Sequence, residues 1–268
     1  MRELAARAFA RRKEAHGLEP IIKLRNLVKV YHVGDEKLRA LDGVNLDVYP
    51  GEFLCIVGRS GSGKSTLLNM LAGLEKPTRG AIQIAGERLD KMNESQLVRF
   101  RLQHVGFIFQ QFNLFPSLTA LENVTMPLVY RGVAPKVRKK KALAILKQLG
   151  LSTHVKHKPS QMSGGQQQRV GIARALVASP EIVFADEPTG NLDSRTSDEI
   201  LGLIKEIARK NGATLIMVTH DNSIAERADR VVRLLDGKII EIIDNRQNAQ
   251  EQPQAPQNDQ SPKEELPA

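Results

Sequence analysis

The sequence has no tryptophan and a single cysteine, Cys55, in 268 residues. One cysteine cannot close an intrachain disulfide, which excludes the small disulfide-stabilised secreted domains and favours a reducing compartment. Long apolar runs are also missing: no stretch approaches the roughly 20 consecutive apolar residues of a membrane span, and the N-terminus lacks the apolar centre of a secretory signal. We therefore expect a cytoplasmic protein in which Cys55, within an apolar run, packs as a small hydrophobic side chain.

The charge of the chain is basic but dispersed. Lys and Arg number 39 against 30 Asp and Glu, a formal net charge of +9. Because the basic residues are scattered, this balance favours an acidic partner such as an anionic membrane surface or a polyphosphate only weakly, and no nucleic-acid partner is expected.

The two ends of the chain differ in composition from the part between them. Residues 1–20 would suit a disordered extension or a short amphipathic helix at a membrane surface. Residues 245–268 are rich in Gln, Pro, Asn and Glu and have almost no large apolar side chains, a composition that cannot build a core and predicts a disordered tail. The sequence thus predicts one folded domain over residues 21–244.

The most informative stretch reads GRSGSGKST and follows the apolar run 53–57. The order predicts a strand, a glycine-rich turn and a helix, and the spacing G-x-x-x-x-G-K-S predicts a phosphate cradle, since glycines let backbone N–H groups curl around an anion at a helix N-terminus. Lys64 would reach the β- and γ-phosphates of a nucleotide, and the Ser65 hydroxyl would complete the shell of a Mg²⁺ ion. The predicted cradle consists of Gly58, Arg59, Ser60, Gly61, Ser62, Gly63, Lys64, Ser65 and Thr66.

Two carboxylates follow a later apolar strand, predicted at residues 182–185. Four consecutive apolar residues indicate a strand buried on both faces, and a carboxylate at its carboxyl end is suited to hold Mg²⁺ through water, which assigns Asp186. Glu187, one residue further, would accept a proton from water attacking the γ-phosphate.

Gln110 and His220 also stand at predicted strand ends, after residues 105–109 and 214–219. Ligands of open α/β sheets bind at the carboxyl ends of the strands, so Gln110 could contact Mg²⁺ or the attacking water, or could bond the backbone as an ordinary loop amide. His220 shares this sheet edge, which favours a contact with the γ-phosphate over a plain polar strand tip.

Three further features indicate a ligand site less specifically than the cradle does. Tyr31 is a lone aromatic between two predicted antiparallel strands, at 22–27 and 44–48, where it could stack on a base or simply pack. The Ser-Gly-Gly-Gln turn before a predicted helix at 167–178 is a second potential anion site, because hydroxyl, N–H groups and helix dipole converge there. Its members are Ser163, Gly164, Gly165 and Gln166. Asp193 opens a predicted helix at 194–210.

The apolar runs at 231–235 and 238–243, joined by the turn Asp236-Gly237, predict a terminal hairpin.

The stretch from Thr119 to about Leu151 predicts a helical insertion. Thr119 and Glu122 have the spacing of a capping box, and apolar residues then recur at helical intervals. The basic run between Lys136 and Lys141 is either a solvated helix face or a contact with acidic lipid headgroups.

Taken in order, these motifs resemble the ATP-binding subunit of an ATP-binding-cassette transporter over residues 21–244. The resemblance implies an α/β fold: a P-loop ATPase core with a mixed sheet, an N-terminal antiparallel β subdomain and an inserted α-helical subdomain at about 111–165. It implies ATP and Mg²⁺ as ligands, with contacts also from Tyr31 and Asp193. It further implies a second copy of the chain, with two subunits sandwiching two ATP molecules head to tail and each cradle completed by the partner's turn at 163–166.

Three stretches, 107–114, 118–124 and 186–193, resemble more narrowly the lipoprotein-releasing and macrolide-exporting branch. That resemblance implies an ATPase attached to the cytoplasmic face of the cell membrane, where it would drive an integral-membrane permease and, through it, a periplasmic adaptor. A cell-division relative suggests the alternative of a regulator that moves a membrane partner without moving a solute. Met162 stands where the family usually has Leu, a substitution that conserves volume.

Overall fold

The computed structural model describes residues 19–248. The expectations for the N-terminal extension up to residue 18 and for the tail from residue 249 lie outside these residues. The strands are β1 Ile22–Val33, β2 Glu36–Val48, β3 Phe53–Val57, β4 Arg79–Ile84, β5 Glu87–Arg88, β6 Val105–Ile108, β7 Ile182–Asp186, β8 Thr214–Thr219, β9 Arg230–Leu235 and β10 Lys238–Asp244. The α-helices are α1 Lys64–Leu71, α2 Glu94–His104, α3 Ala120–Tyr130, α4 Pro135–Gln148, α5 Gly164–Leu176, α6 Ser194–Lys210, α7 Asn222–Ala225 and α8 Asn245–Asn248.

The strands form two sheets. The first is antiparallel, in the order β2-β1-β4-β5, and the second has the order β10-β9-β3-β8-β7-β6. In the second sheet β3, β6, β7, β8 and β9 pair in parallel, while β10 runs antiparallel to β9. The predicted α/β class, with a mixed sheet and an N-terminal antiparallel sheet, is confirmed. Tyr31 lies inside β1 and pairs with Leu38, so its predicted place between two strands is wrong: the first strand extends six residues past Leu27.

The mixed sheet separates two hydrophobic clusters. Along β3, Phe53, Cys55 and Val57 join the cluster on one face with helices α3 to α6, and Leu54 and Ile56 join the cluster on the other face with α1, α2 and the antiparallel sheet. This alternation is the two-residue period of a strand covered on both faces. Cys55 is fully buried in its cluster, as predicted for a packing cysteine, and burial raises the pKa of its thiol to about 12.

The predicted helical stretch up to Leu151 is divided in the structure. Helix α3 begins with the predicted capping box, in which Thr119 and Glu122 exchange hydrogen bonds. It ends before Gly132, whose φ of 69° leaves the helical region, and Pro135 opens α4. None of the helices in residues 19–248 combines the length and apolar character needed to span a bilayer.

The C-terminal part of the described chain is the predicted hairpin of β9 and β10. The four-residue helix α8 follows it directly. The Asn245 backbone N–H donates to the Asp229 carbonyl oxygen at 3.0 Å, and its amide donates to the Ala228 carbonyl oxygen at 2.9 Å, which fastens α8 to the start of β9. Parallel pairing of β3 with β9, in which Val57 lies opposite Arg233, places the hairpin turn near the end of β3, where the predicted phosphate cradle begins.

Candidate nucleotide-binding and catalytic site

The predicted phosphate cradle is the loop between β3 and α1. Gly63 is the N-cap of α1, and its φ of 100° favours glycine. A Cβ atom at Gly63 would lie 2.4 Å from the Ala40 carbonyl oxygen, and one at Gly58 would lie 2.3 Å from the Leu234 carbonyl oxygen. Both glycines are therefore fixed by the close approach of other backbone segments.

Lys64 is the first residue of α1 and is 7% exposed. Its Nζ donates to the carbonyl oxygens of Gly58 at 2.8 Å and Arg59 at 3.0 Å, so the side chain folds back across the loop. The cation is thus held at the concave side of a backbone loop that opens onto a helix N-terminus, the arrangement that binds phosphate.

A second backbone segment supports the loop. The Gly237 N–H donates to the Ser62 carbonyl oxygen at 3.0 Å, and the Asp42 N–H donates to the Gly237 carbonyl oxygen at 2.9 Å. Sequence analysis identified Asp236-Gly237 only as a hairpin turn. Its contact with the cradle depends on β9 pairing with β3, which local sequence patterns do not reveal.

One cleft, here called the nucleotide cleft, gathers most of the predicted nucleotide site. Its predicted members are Tyr31, Ser60, Gly61, Gly63, Lys64, Ser65, Thr66, Glu187 and His220. Sequence analysis missed five lining residues, which come from β2 and the β9–β10 turn: Leu38, Arg39, Ala40, Asp236 and Gly237. Arg39 adds an exposed cation to the cleft, and no local pattern in the sequence marks it.

Asp186 ends β7 beside the cradle. Burial raises the pKa of its carboxyl group, and the Glu187 charge raises it further, while the Lys64 charge and a hydrogen bond from Ser65 act in the opposite direction. A half-buried carboxylate next to a serine hydroxyl is an oxygen donor set that suits Mg²⁺. Within residues 19–248 no group of three His, Cys, Asp or Glu could hold a metal, so the remaining ligands would be phosphate oxygens and water.

Glu187 has an unusual backbone conformation. Its φ is 42°, in the left-handed region, and its N–H donates to the Val218 carbonyl oxygen at 2.9 Å. Its Oε2 lies 3.0 Å from His220 Nδ1. Because a carboxylate only accepts hydrogen bonds, this contact places a proton on Nδ1. A strained residue in a cleft, paired with a histidine, is a candidate for catalysis.

Gln110 lies near this pair but does not line the nucleotide cleft. A Cβ atom at Gly190 would lie 2.9 Å from Gln110 Nε2 and 3.4 Å from Glu187 Oε2, so both side chains border Gly190. Asn191 also donates to the Gln110 carbonyl oxygen at 3.0 Å. The structure therefore brings Gln110 to Glu187 and leaves its predicted contact with Mg²⁺ as a prediction.

The second predicted anion site lies in another cleft, here called the signature cleft. Helix α5 begins at Gly164, three residues before the predicted start, because Ser163 and Gln166 form a capping box: the Ser163 hydroxyl accepts from the Gln166 N–H, and the Gln166 side chain accepts from the Ser163 N–H. Asp193 caps α6: hydrogen bonds from the Thr196 N–H and hydroxyl lower the pKa of its carboxyl group. The cleft is lined by Leu149, Gly150, Leu151, Ser163, Gly164, Gly165, Gln166, Arg169, Asn191, Leu192, Asp193, Thr196 and Glu199.

The nucleotide cleft and the signature cleft share no lining residue. One chain thus presents a cradle with a cation and carboxylates in one place, and a helix N-terminus with a serine hydroxyl in another. Each cleft has part of what a triphosphate needs, and within a single chain the two parts stay apart.

Known proteins of similar sequence and structure bind nucleotides. A family model described as "ABC transporter" matches residues 41–190. A macrolide export ATP-binding/permease protein of Hyphomonas neptunium is 49% identical over 238 residues, which cover 89% of this chain and 36% of that relative. An uncharacterised ABC transporter ATP-binding protein of Methanocaldococcus jannaschii is 48% identical over 223 residues, covering 82% of this chain and 95% of the relative.

The cassette of that archaeal protein also has a similar solved structure. Its dimeric post-hydrolysis state bound to ADP and Pi matches with a TM-score of 0.78 and 44% identity, covering 84% of this chain and 98% of the other. A second dimeric structure of the same cassette matches with a TM-score of 0.78 and 45% identity. The chain therefore spans nearly the whole length of a solved cassette and about a third of a macrolide export relative.

Proposed function

The chain belongs to the ABC transporter family and is an ATP-binding ATPase of that family, and from this premise we propose that it energises an integral-membrane exporter of the lipoprotein-release and macrolide-export type. In this proposal two copies close head to tail around two ATP molecules at the cytoplasmic face of the membrane. The permease, and through it a periplasmic adaptor, moves the substrate.

The observation that supports the closed dimer is the separation of the two clefts. Ser163 and the α5 N-terminus present a hydroxyl and a positive helix end, but Lys64 and Glu187 line a different cleft of the same chain. A second copy related by a twofold axis would set its signature cleft against the first copy's nucleotide cleft, and the reverse. Each triphosphate would then be bound from both sides.

The chain's own residues divide the reaction in this proposal. Lys64 and the loop N–H groups bind the phosphates, and Ser65 and Asp186 hold Mg²⁺, which supplies neutralisation of phosphate charge when bound. Glu187 accepts the proton of the attacking water at Oε2, and His220, donating from Nδ1, keeps that carboxylate oriented. Gln110, beside Glu187 at Gly190, orients the water.

The test uses Glu187→Gln, which keeps the shape and the hydrogen-bonding capacity of the side chain but cannot accept the proton. We expect turnover to fall by roughly 10²–10⁴ while ATP binding survives, so that ATP traps the closed dimer. The measurements are phosphate release and ATP-dependent dimer mass in solution. Normal turnover by Glu187→Gln would refute the role of the base.

A second substitution on the same background tests the signature cleft. Ser163→Arg places a bulky cation where the partner's γ-phosphate would sit, while the nucleotide cleft of its own chain is untouched. We expect Glu187→Gln to dimerise with ATP and the double variant to bind ATP as a monomer. Equal dimer from both would rule out the role given to Ser163.

An apolar groove beside α3 supports the proposal of a membrane partner. Val98, Phe115 and Tyr130 line it and are 45%, 48% and 65% exposed. Arg131 and Arg174 also line it; burial lowers the pKa of both guanidinium groups, and both donate to backbone carbonyl oxygens. Within residues 19–248 neither guanidinium forms an ion pair with a carboxylate. We assign this groove to a cytoplasmic segment of the permease that carries apolar and acidic side chains.

The groove assignment is tested by purification from membranes with Phe115→Asp. This variant places a carboxylate in the apolar groove, whereas the control Ile240→Asp changes an exposed apolar residue on β10, outside the groove. We expect wild type and the control to retain the same integral-membrane permease, identified by mass spectrometry, and Phe115→Asp to lose it. Retention by all three would place the permease elsewhere.

A further inference from the structure

Glu75 lies just past α1, and sequence analysis gave it no role. Its Oε2 accepts a hydrogen bond from the Tyr31 hydroxyl at 2.6 Å, and Lys29 Nζ lies 3.2 Å from the same oxygen. Its Oε1 accepts from the Asn69 amide at 3.3 Å. Both carboxylate oxygens of Glu75 are thus engaged, and one of them holds the phenol of Tyr31.

The charge states of the pair agree with this direction of hydrogen bonding. Burial opposes ionisation of Glu75, but the hydrogen bonds from Tyr31 and Lys29 outweigh it and hold the pKa of its carboxyl group below the usual value. Burial, and then the hydrogen bond to Glu75, raise the pKa of the Tyr31 phenol. Tyr31 therefore remains a protonated donor and Glu75 an ionised acceptor, a charge-assisted hydrogen bond.

Lys29 restrains Tyr31 in a second way. Its Nζ lies 5.0 Å from the centroid of the Tyr31 ring and donates to the Lys76 carbonyl oxygen at 2.9 Å. A cation at this distance is attracted to an aromatic face. Tyr31 lines the nucleotide cleft, but neither Lys29 nor Glu75 does. Of these three residues only Tyr31 lines the cleft, so direct contact with a ligand falls to the tyrosine.

We propose that Glu75 is a positioning residue that fixes the Tyr31 ring, with Lys29, as a platform for the base of the nucleotide. The proposal rests on the proposed function and takes Tyr31, which lines the nucleotide cleft, as the residue that stacks on the base. A ring that is already ordered avoids the entropy cost of being immobilised on binding, which corresponds to about a two- to tenfold gain in affinity. The gain applies to ligands that carry a base, since triphosphate alone does not use the ring.

The test compares the dissociation constants of ATP and of inorganic tripolyphosphate, each with Mg²⁺, by calorimetry. Glu75→Ala and Tyr31→Phe each remove the hydrogen bond between the two residues, and Tyr31→Phe also removes the bond between Tyr31 and Thr66. We expect each variant to weaken ATP binding by about two- to tenfold and the double variant to be no worse than Tyr31→Phe alone. Tripolyphosphate affinity should not change. Glu75→Gln retains an acceptor and should recover most of the ATP affinity, and Glu226→Ala is the matched surface control.

Each other outcome overturns a defined part of the proposal. If ATP affinity is unchanged in Glu75→Ala but weaker in Tyr31→Ala, the stacking role of Tyr31 is supported and the positioning role of Glu75 is refuted. Equal loss of ATP and tripolyphosphate in Glu75→Ala would mean that Glu75 supports the phosphate loop and not the ring. Unchanged ATP affinity in Tyr31→Ala would refute the platform itself, and the ATP-dependent dimer of Glu187→Gln would still test the proposed function separately.

Discussion

One aspartate lies beside the nucleotide cleft and another lines the signature cleft, each at a strand or helix boundary, and their carboxyl groups have opposite pKa shifts. Burial raises the pKa of Asp186, whereas hydrogen bonds from Thr196 lower the pKa of Asp193. The residues near the two aspartates also differ, in backbone strain and in how their polar groups are hydrogen-bonded. Glu187, beside Asp186, has a φ of 42°, while Ser163, across from Asp193, caps its helix in a satisfied box.

The difference separates two ways in which a sequence builds a site. At the nucleotide cleft the buried carboxylate of Asp186 beside it and the strained backbone of Glu187 are kept at a cost in stability, which is typical of residues that bind a cation or carry out chemistry. In the signature cleft the polar groups satisfy one another and contribute to stability, so that the cleft is a rigid preformed surface. Substitutions in the two clefts should therefore change different properties.

The largest effect is expected from Lys64→Ala. This variant removes the cation that faces the β- and γ-phosphates, and charge-assisted hydrogen bonds of this kind are strong enough that ATP affinity should fall by about 100-fold or more. Calorimetric titration measures it, with Lys91→Ala as a control outside the cleft. Wild-type affinity in Lys64→Ala would remove the basis for calling this cleft the nucleotide site.

Asp186→Asn should change activity and stability in opposite directions. Turnover should fall by about 10²–10³ because the amide is a poor ligand for Mg²⁺. The ligand-free variant should unfold at a higher denaturant concentration, because burying an amide costs less than burying a carboxylate.

The pH dependence follows from the raised pKa of Asp186. In the wild type the ionised Asp186 carboxylate destabilises the fold, and this effect is fully present above the folded-state pKa of the group. It is relieved as the pH falls through that pKa, because the folded chain binds the Asp186 proton more tightly than the unfolded chain. The free energy of unfolding of Asp186→Asn should not show this rise on acidification. A variant less stable than wild type at neutral pH would contradict the cost assigned to this carboxylate.

The smallest effect is expected from Asp193→Ala, which removes the cap of α6. The melting temperature should fall by a few degrees, and Asp193→Asn, which keeps an acceptor, should restore most of it. Because the pKa of Asp193 is lowered in the fold, its contribution is present above the unfolded-state pKa and is lost as the pH falls through the folded-state value. A loss of ATP affinity in the isolated subunit would break the separation of the two clefts.

Local patterns were sufficient for most elements of the fold. The strand and helix around the cradle, the buried strand before Asp186, the α6 range from Ser194 to Lys210 and the capping box at Thr119 all follow from apolar periodicity and capping chemistry. The start of α5 was misplaced because two successive glycines favour a turn on propensity alone. The Ser163 capping box outweighs that propensity.

Residues that reach the site through tertiary contacts could not be predicted. No sequence motif for nucleotide binding surrounds Arg39, Asp236 or Glu75. These residues approach the nucleotide cleft or Tyr31 because β2, the β9–β10 turn and the segment after α1 fold together. Gln110 was predicted at a strand end, but the loop after β6 carries it to Gly190. Its direction depends on that loop, which strand periodicity does not determine.

The contact between Gly237 and Ser62 also bears on how the protein is made. The strand that leads into the cradle, β3, lies between β8 and β9, and the last hairpin supplies the N–H that supports the loop. A ribosome synthesises the glycine-rich loop early and these supports late. A growing chain therefore has no complete nucleotide cleft until the β9–β10 hairpin has emerged, so the stabilisation that ATP gives to the complete cleft becomes available only late in synthesis.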